Sequence, residues 1–299
     1  MPISPKSRRN FDTVLTSRLP GWVRSGAFAM ILSCLFFSLM GVGVKFSTRT
    51  LPLFEVVFFR SIISALILGI LIKRRHQSLR GFNEKVLLQR GLASFLALLC
   101  NFYAISKIPL ADASVLTNSS PLFAVILSVI FLKEKLNGRL LFLLFLSVIG
   151  IFFILKPTLD WWNIPSLVAL AAAFFAAIAF VIIHQLHETE SSLTIAFYFA
   201  VVASFGSLPL MLINFQMPVG MERWFLVFMG VCGTFGQVYL CEAYKNEQVS
   251  WITSLIYTTV LFAFLWGILF FGEIPDRYSL IGTLLTVASC IAIIRLRKT

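Results

Sequence analysis

The run Asn118–Glu134, NSSPLFAVILSVIFLKE, has a second version near the end of the chain, Tyr257–Glu273, YTTVLFAFLWGILFFGE. A shift of 139 residues aligns the tripeptide Leu-Phe-Ala within each run and also aligns the closing glutamates. A shift of 138 residues places Phe59 on Phe197. Two nearly equal shifts from different parts of the chain predict an internal repeat, which is a common feature of membrane carriers.

The composition excludes a soluble globular protein. Of the 299 residues, 59% are apolar and 13% are charged, whereas soluble domains are about half apolar and about a quarter charged. Ten apolar stretches are each long enough to cross a hydrocarbon layer of ~30 Å as a helix. The predicted spans are Ser25–Val44, Leu53–Ile72, Val86–Ile105, Ala113–Leu132, Arg139–Leu155, Ile164–Ile183, Leu193–Ile213, Trp224–Ala243, Val249–Phe271 and Tyr278–Ile294.

The basic residues predict the orientation of these spans. Short cytoplasmic loops carry an excess of Lys and Arg, and the side that holds both termini has eighteen of them against six on the other side. Both termini are therefore predicted to be cytoplasmic, with residues 1–24 as a basic cytoplasmic tail. The first repeat spans 25–156 and the second spans 164–296. Because five spans per half is an odd number, the halves insert in opposite orientations, a geometry suited to alternating access.

Several short runs give the chain a family resemblance. The runs Phe54–Arg60 (FEVVFFR), Pro121–Glu134 and Phe271–Pro275 (FGEIP) resemble those of the drug/metabolite transporter superfamily, specifically the bacterial EamA-type carriers. The first run, together with Arg90-Gly91, looks like the S-adenosylmethionine uptake carriers of obligate intracellular bacteria. The resemblance implies a secondary carrier with a central cavity lined by the first four helices of each half. It also implies peripheral fifth and tenth helices, which suit packing or a homodimer.

Arg60 is the sharpest candidate for substrate binding. It lies about seven residues inside the second predicted span, where an arginine is costly unless it faces the interior of the bundle or a wet cavity. Its planar guanidinium can bind a carboxylate or phosphate through two parallel hydrogen bonds. The alternative is a purely structural arginine that is snorkelling or internally paired.

Further polar residues are predicted to share the cavity. Asn101, Tyr103, Asn118 and Ser119 lie at the predicted depth of Arg60, although such residues could instead only hold helices together. The repeat maps Arg60, Tyr103 and Asn118 onto Tyr198, Glu242 and Tyr257 in the other half, and Gln237 lies nearer the bilayer centre. Glu242 could couple transport to protons or bind a cationic group, or it could simply pair with Lys245.

Other classes of function find no support in the sequence. There is no P-loop and no G-x-S-x-G motif, and the His184–Glu188 run (H-x-x-H-E) has neither zinc-protease order. No catalytic residue, metal, cofactor or nucleic acid is therefore predicted. We expect a secondary transporter of small organic metabolites, amino-acid-like or S-adenosylmethionine-like with a carboxylate, in a bacterial-type cytoplasmic membrane. The alternatives are an exporter of amino acids or drugs and, more remotely, a membrane-embedded enzyme acting on acyl groups or lipids.

Overall fold

The helices of the computed structural model follow the predicted spans closely. The structure describes residues 26–48, 50–107, 116–117, 119–132, 138–155, 164–186, 189–245, 247–271 and 277–296. Its helices are α1 (Gly26–Ser47), α2 (Leu53–Arg74), α3 (Glu84–Lys107), α4 (Ser120–Leu132), α5 (Gly138–Leu155), α6 (Ile164–Leu186), α7 (Ser192–Ile213), α8 (Met221–Ala243), α9 (Val249–Thr253), α10 (Thr258–Phe271) and α11 (Arg277–Leu296). The predicted tail 1–24 and the candidate Asn118 lie outside the described residues.

Six of these helices are long and apolar enough to cross a membrane, namely α1, α2, α3, α6, α7 and α8. The prediction of an all-helical membrane protein is therefore confirmed. The helices α4, α5, α10 and α11 overlap the remaining predicted spans. The total of ten crossings stays a prediction.

The ninth predicted span, Val249–Phe271, is divided in the structure. Between α9 and α10 the chain forms a 3-10 turn over Ser254–Tyr257, which hydropathy could not have revealed. Two carbonyl groups of this turn, those of Leu255 and Ile256, face the Cys34 thiol of α1 at 3.6 and 3.9 Å from Sγ. The tighter turn thus gives α1 backbone acceptors that a regular α-helix would hold within its own ladder.

The ends of α2 and α7 are fixed by local hydrogen bonds. After α2, His76 adopts a left-handed conformation with φ of 50°, and Gln77 N–H bonds back to Ile72 O at 3.0 Å, as in a Schellman motif. Before α7, the Ser191 hydroxyl accepts the Thr194 N–H at 3.1 Å. The Ser191 hydroxyl also donates to Gln77 Oε1 at 3.4 Å, so the end of α2 lies beside the start of α7.

The main packing contacts join the first half of the chain (α1–α5) to the second half (α6–α11). The most extensive pairs are α1 with α8, α3 with α6, α5 with α11, and α2 with α7. The next are α2 with α8, α3 with α7, α4 with α6, and α1 with α10. This set is unchanged when α1, α2, α3, α4 and α5 are exchanged with α6, α7, α8, α10 and α11 respectively.

Three glycines on one face of α8 let α1 and α2 approach its backbone. The Ser64 hydroxyl of α2 donates to Gly230 O at 3.1 Å, and the Ser33 hydroxyl of α1 donates to Gly236 O at 2.8 Å. Between them lies Gly233, where an added Cβ would be 3.2 Å from the Arg60 Nη1 atom and 3.2 Å from the Met40 sulfur. The missing side chain at Gly233 thus leaves room for Arg60 in the centre of the bundle.

Candidate functional site

Arg60 is buried where both halves meet. Its side chain is 2% exposed, and it extends from α2 towards α1, α7 and α8. Its Nη1 atom donates to the Met40 sulfur at 3.4 Å, and its Cζ atom lies 5.4 Å from the ring centroid of Phe199. A thioether is a weak acceptor, so these neighbours satisfy little of the guanidinium.

Most of the hydrogen-bonding capacity of Arg60 is unused. A guanidinium carries five N–H donors, and the Met40 contact is the only hydrogen bond that Arg60 makes within the described residues. Its Nε atom is buried without a partner. Glu55 on the same helix accepts the Gln216 N–H and makes no salt bridge with Arg60.

Arg90 is a second buried cation, and sequence reasoning missed it. It lies on α3 with 1% exposure. It donates to Ile195 O at 3.2 Å and to Gln237 Oε1 at 2.8 Å, with a longer contact to the Cys241 sulfur at 3.9 Å. Its Nε atom has no partner. Arg90 thus has neutral acceptors and no opposing charge among the described residues.

The local sequence around Arg90 conceals its burial. Arg90 follows a basic stretch, which is typical of a cytoplasmic loop, yet it is the seventh residue of α3. The next residue, Gly91, provides the available signal, because a small residue in a span permits close helix approach. An added Cβ there would be 2.9 Å from the Val202 side chain of α7. The close approach of α7 covers Arg90.

Phe199 joins the two arginines into one site. The Arg90 Cζ atom lies 5.1 Å from the Phe199 ring centroid, compared with 5.4 Å for Arg60. Because both Cζ atoms lie close to the same ring centroid, the distance between them cannot exceed the sum of these two distances. Cations within about 6 Å of a ring centroid are attracted by its electrons, but one neutral ring cannot cancel two positive charges.

None of the carboxylates in the described part of the chain neutralises this pair. Six glutamates are described, and each lies at a helix end or in a connection: Glu55, Glu84, Glu190, Glu222, Glu242 and Glu247. Neither Arg60 nor Arg90 forms a salt bridge with any of them. The centre of the described bundle is consequently positive.

The structure brings some predicted site residues to this centre and leaves others elsewhere. Gln237 contacts Arg90 directly. Glu242 is instead half exposed, with its Oε1 3.7 Å from Lys245 Nζ and its Oε2 accepting the Ser192 hydroxyl at 2.6 Å, so the pairing with Lys245 considered above is present. The Tyr198 hydroxyl accepts the Gly81 N–H at 3.4 Å, away from both arginines.

The remaining predicted residues lie around α3, α4 and the 3-10 turn. The Asn101 amide oxygen accepts the Thr117 hydroxyl at 3.1 Å, whereas Tyr103 is 40% exposed. The Ser119 hydroxyl bonds to Leu116 O at 2.6 Å, next to the start of α4. Tyr257 is fully buried at the end of the 3-10 turn. None of these four residues makes a described contact with Arg60 or Arg90.

Comparisons with known proteins now identify the family. A model of the EamA-like transporter family matches residues 24–156 and again residues 163–295. The chain belongs to the EamA-like transporter family. It is therefore a multi-pass membrane transporter and not an enzyme, which confirms the predicted superfamily, membrane location and class of function.

The chain is also similar to named transporters along most of its length. It is 37% identical to the pseudopaline exporter CntI of Pseudomonas aeruginosa, over 92% of this chain and 98% of that protein. It is 27% identical to the S-adenosylmethionine uptake transporter of Rickettsia felis, over 90% and 92%. Human solute carrier family 35 member G1 is 28% identical, over 88% of this chain and 77% of its own length.

A solved crystal structure shares the fold. It superimposes with a TM-score of 0.79 and covers 91% of this chain and 96% of that one, at 18% sequence identity. At this identity the likeness concerns the fold alone. The relatives differ in the direction and cargo that their names state, so the named cargo of one of them does not transfer to this chain by family membership.

Proposed function

We propose that this transporter carries a small organic metabolite with a carboxylate group, and that Arg60 binds that carboxylate. The observation that carries the proposal is the buried guanidinium with one weak sulfur contact and no acidic partner among the described residues. Burying a charge is unfavourable unless an opposite charge or hydrogen bonds compensate for it. A substrate carboxylate would supply both, through two parallel bonds.

We propose that transport proceeds by alternating access between two inverted halves, 25–156 and 164–296, with ten spans and both termini in the cytoplasm. Two observations support this topology. The packing pairs are unchanged when the halves are exchanged, and the counterpart helices α2 and α7 run antiparallel, since Glu55 near the start of α2 contacts Gln216 just beyond α7. Homodimer formation through α5 and α11 remains a prediction from the sequence.

We propose export as the direction. The exporter from Pseudomonas is 37% identical to this chain, whereas the uptake transporter from Rickettsia felis is 27% identical. Uptake of an S-adenosylmethionine-like substrate is the second candidate, because that relative also covers nine tenths of the chain. Both candidates use the same central arginine, so one substrate assay addresses both.

The test of the substrate class is counterflow into proteoliposomes. Labelled S-adenosylmethionine, labelled amino acids and labelled pseudopaline are offered separately, with excess unlabelled compound inside. We expect one carboxylate-bearing probe to accumulate and the Arg60→Gln variant to lose at least tenfold of the rate, because a hydrogen bond to a charged group contributes about 1.5–3 kcal/mol. Arg80→Gln is the matched control, since Arg80 is exposed in the α2–α3 connection.

The outcomes separate binding from folding. Normal transport by folded Arg60→Gln would reject the anchor role, and equal loss of transport and thermal stability would indicate a structural role. The topology is tested in a cysteine-free background carrying either Lys107→Cys or Gln248→Cys, two exposed positions. A membrane-impermeant maleimide should label them from opposite faces of the membrane, and labelling from the same face would contradict the inverted arrangement.

A further inference from the structure

We propose that the central site binds two anionic groups of one substrate, with one carboxylate on Arg60 and the second on Arg90. This inference rests on the proposed function and narrows its substrate class from a carboxylate to a dicarboxylate. The first reason is the charge of the central site. A guanidinium is effectively always protonated in proteins, so the site holds two positive charges around Phe199. A single carboxylate would leave one of them uncompensated, whereas a dianion neutralises both.

The two arginines differ in how many N–H donors remain without a partner. They would therefore bind the two carboxylates differently. Arg60 has one weak sulfur contact, which leaves an edge of its guanidinium for a bidentate carboxylate. Arg90 is held by Ile195 O and Gln237 Oε1 and keeps only its Nε atom without a partner. The first carboxylate therefore docks on Arg60, and the second takes one hydrogen bond and the full charge of a fixed Arg90.

The surroundings limit the size of such a substrate. Both guanidinium carbons lie within 5.4 Å of the Phe199 ring centroid, so the two anionic groups are bridged by a short chain. Phe199 is 3% exposed and lies against both guanidinium groups, so the middle of such a substrate would lie beside an apolar ring. The site matches a compact molecule with an anionic group at each end and an apolar middle.

The inference predicts that charge at the second end controls affinity. The probes are glutarate and its monoamide, which have nearly the same shape but differ by one negative charge. Succinate and adipate, each compared with its own monoamide, vary the spacing. Binding is measured by titration calorimetry on the purified full-length protein in detergent. We expect at least one dicarboxylate to bind tenfold or more tightly than its own monoamide.

Variants assign this preference to Arg90. In Arg90→Gln we expect the preference to fall to less than threefold, with the affinity for the monoamide little changed. In Arg90→Lys, which keeps the charge, we expect part of the preference to remain. Arg60→Gln should weaken both probes, and Arg80→Gln should change neither. The wild-type comparison does not depend on whether any variant folds.

The possible results separate failure of the two-anion site from failure of the carboxylate site at Arg60. Equal binding of every dicarboxylate and its monoamide to the wild-type protein would overturn the two-anion site. An undiminished preference in folded Arg90→Gln would overturn it as well. If S-adenosylmethionine or an amino acid binds in an Arg60-dependent way and no dicarboxylate is preferred, the carboxylate site stands and the second anion position fails. If no carboxylate-bearing probe binds at all, both proposals fail.

Discussion

The connections after the counterpart helices α2 and α7 are built from opposite chemistry. Residues 75–83, the basic loop, include the exposed Arg75, His76 and Arg80, whereas residues 214–220, the apolar loop, expose Phe215 and several other apolar side chains. Basic loops are typical of the cytoplasmic side, and exposed apolar side chains are typical of a membrane interface. The two ends of the bundle therefore present different chemistry to their surroundings.

The basic loop is held to the opposite half at several points. Asn83 N–H donates to Glu190 Oε1 at 2.8 Å, and Gly81 N–H donates to the Tyr198 hydroxyl at 3.4 Å. Gln77 contacts Ser191, directly before α7. All three contacts link the end of α2 to the start of α7.

The apolar loop is held mainly by hydrogen bonds to residues that are close to it in the chain. Its one described hydrogen bond to the first half runs from Gln216 N–H to Glu55 Oε2 at 3.0 Å. Its other bonds run to α7, from Asn214 N–H to Met211 O at 3.2 Å, and to α8, from Val219 N–H to Glu222 at 2.8 Å and from the Arg223 Nε to Pro218 O at 2.9 Å. Fewer bonds between the halves mean that less free energy is needed to separate them here. We expect the Glu55 end to open more readily than the Glu190 end.

Glu190→Ala tests the stronger closure and should have the largest effect. It removes the acceptor for Asn83 N–H, and a hydrogen bond to a charged group contributes about 1.5–3 kcal/mol. We expect a lower unfolding temperature in detergent and faster maleimide labelling of a Ser192→Cys probe, since Ser192 is buried beside Glu190 and Ser191. Glu84→Ala, at an exposed neighbouring position, is the control. Unchanged labelling and stability in Glu190→Ala would remove the basis for ranking the two ends.

Glu55→Ala tests the weaker closure and should have a smaller effect. Glu55 is fully buried, and its Oε1 atom has no partner, so the substitution removes a desolvated oxygen together with the bond to Gln216. We expect faster labelling of a Ser47→Cys probe, since Ser47 is buried at the same end of the bundle, with a loss of stability of about 1 kcal/mol or less. Glu55→Gln retains an acceptor oxygen and should slow the labelling again. A larger loss of stability than in Glu190→Ala would show that the Glu55 end is the more strongly closed of the two.

Two substitutions, one in each loop, are expected to change the unfolding temperature in opposite directions because of backbone conformation. His76 in the basic loop and Gly220 in the apolar loop both adopt positive φ, 50° and 59°. A left-handed conformation costs a residue with a Cβ atom about 1–2 kcal/mol, and glycine avoids this strain. We therefore expect His76→Gly to raise the unfolding temperature slightly and Gly220→Ala to lower it. The space around Gly220 is open, so an alanine there would meet backbone strain but no steric clash. Changes of the unfolding temperature with the same sign in both variants would contradict this account.

Sequence reasoning located the helices because apolar length is a local property. The second span was predicted as Leu53–Ile72, and α2 covers Leu53–Arg74. The 3-10 turn at Ser254–Tyr257 was not predicted, and its carbonyl groups contact Cys34 on a helix more than 200 residues away in the chain. Hydropathy carries no information about such a contact.

The candidate site was predictable only in part, for the same reason. Arg60 was found because it stands alone among apolar residues, far from either end of a span. Arg90 has the local pattern of a surface residue, and only the approach of Phe199 and Gln237 from the other half buries it. Tyr103 was placed by depth and Glu242 through the repeat, and neither criterion determines the direction in which a side chain points from its helix.

The central arginines also have a consequence for biosynthesis. Gln237 follows Arg90 by 147 residues, an interval of roughly 7–30 s at a synthesis rate of about 5–20 residues per second. During most of that time α2 and α3 each carry a charge at an insertion cost of up to about 2.5–3.5 kcal/mol, before first Phe199 and then Gln237 are made. A nascent first half therefore depends on its long apolar helices and on the insertion machinery to retain two cations that only the finished protein can enclose.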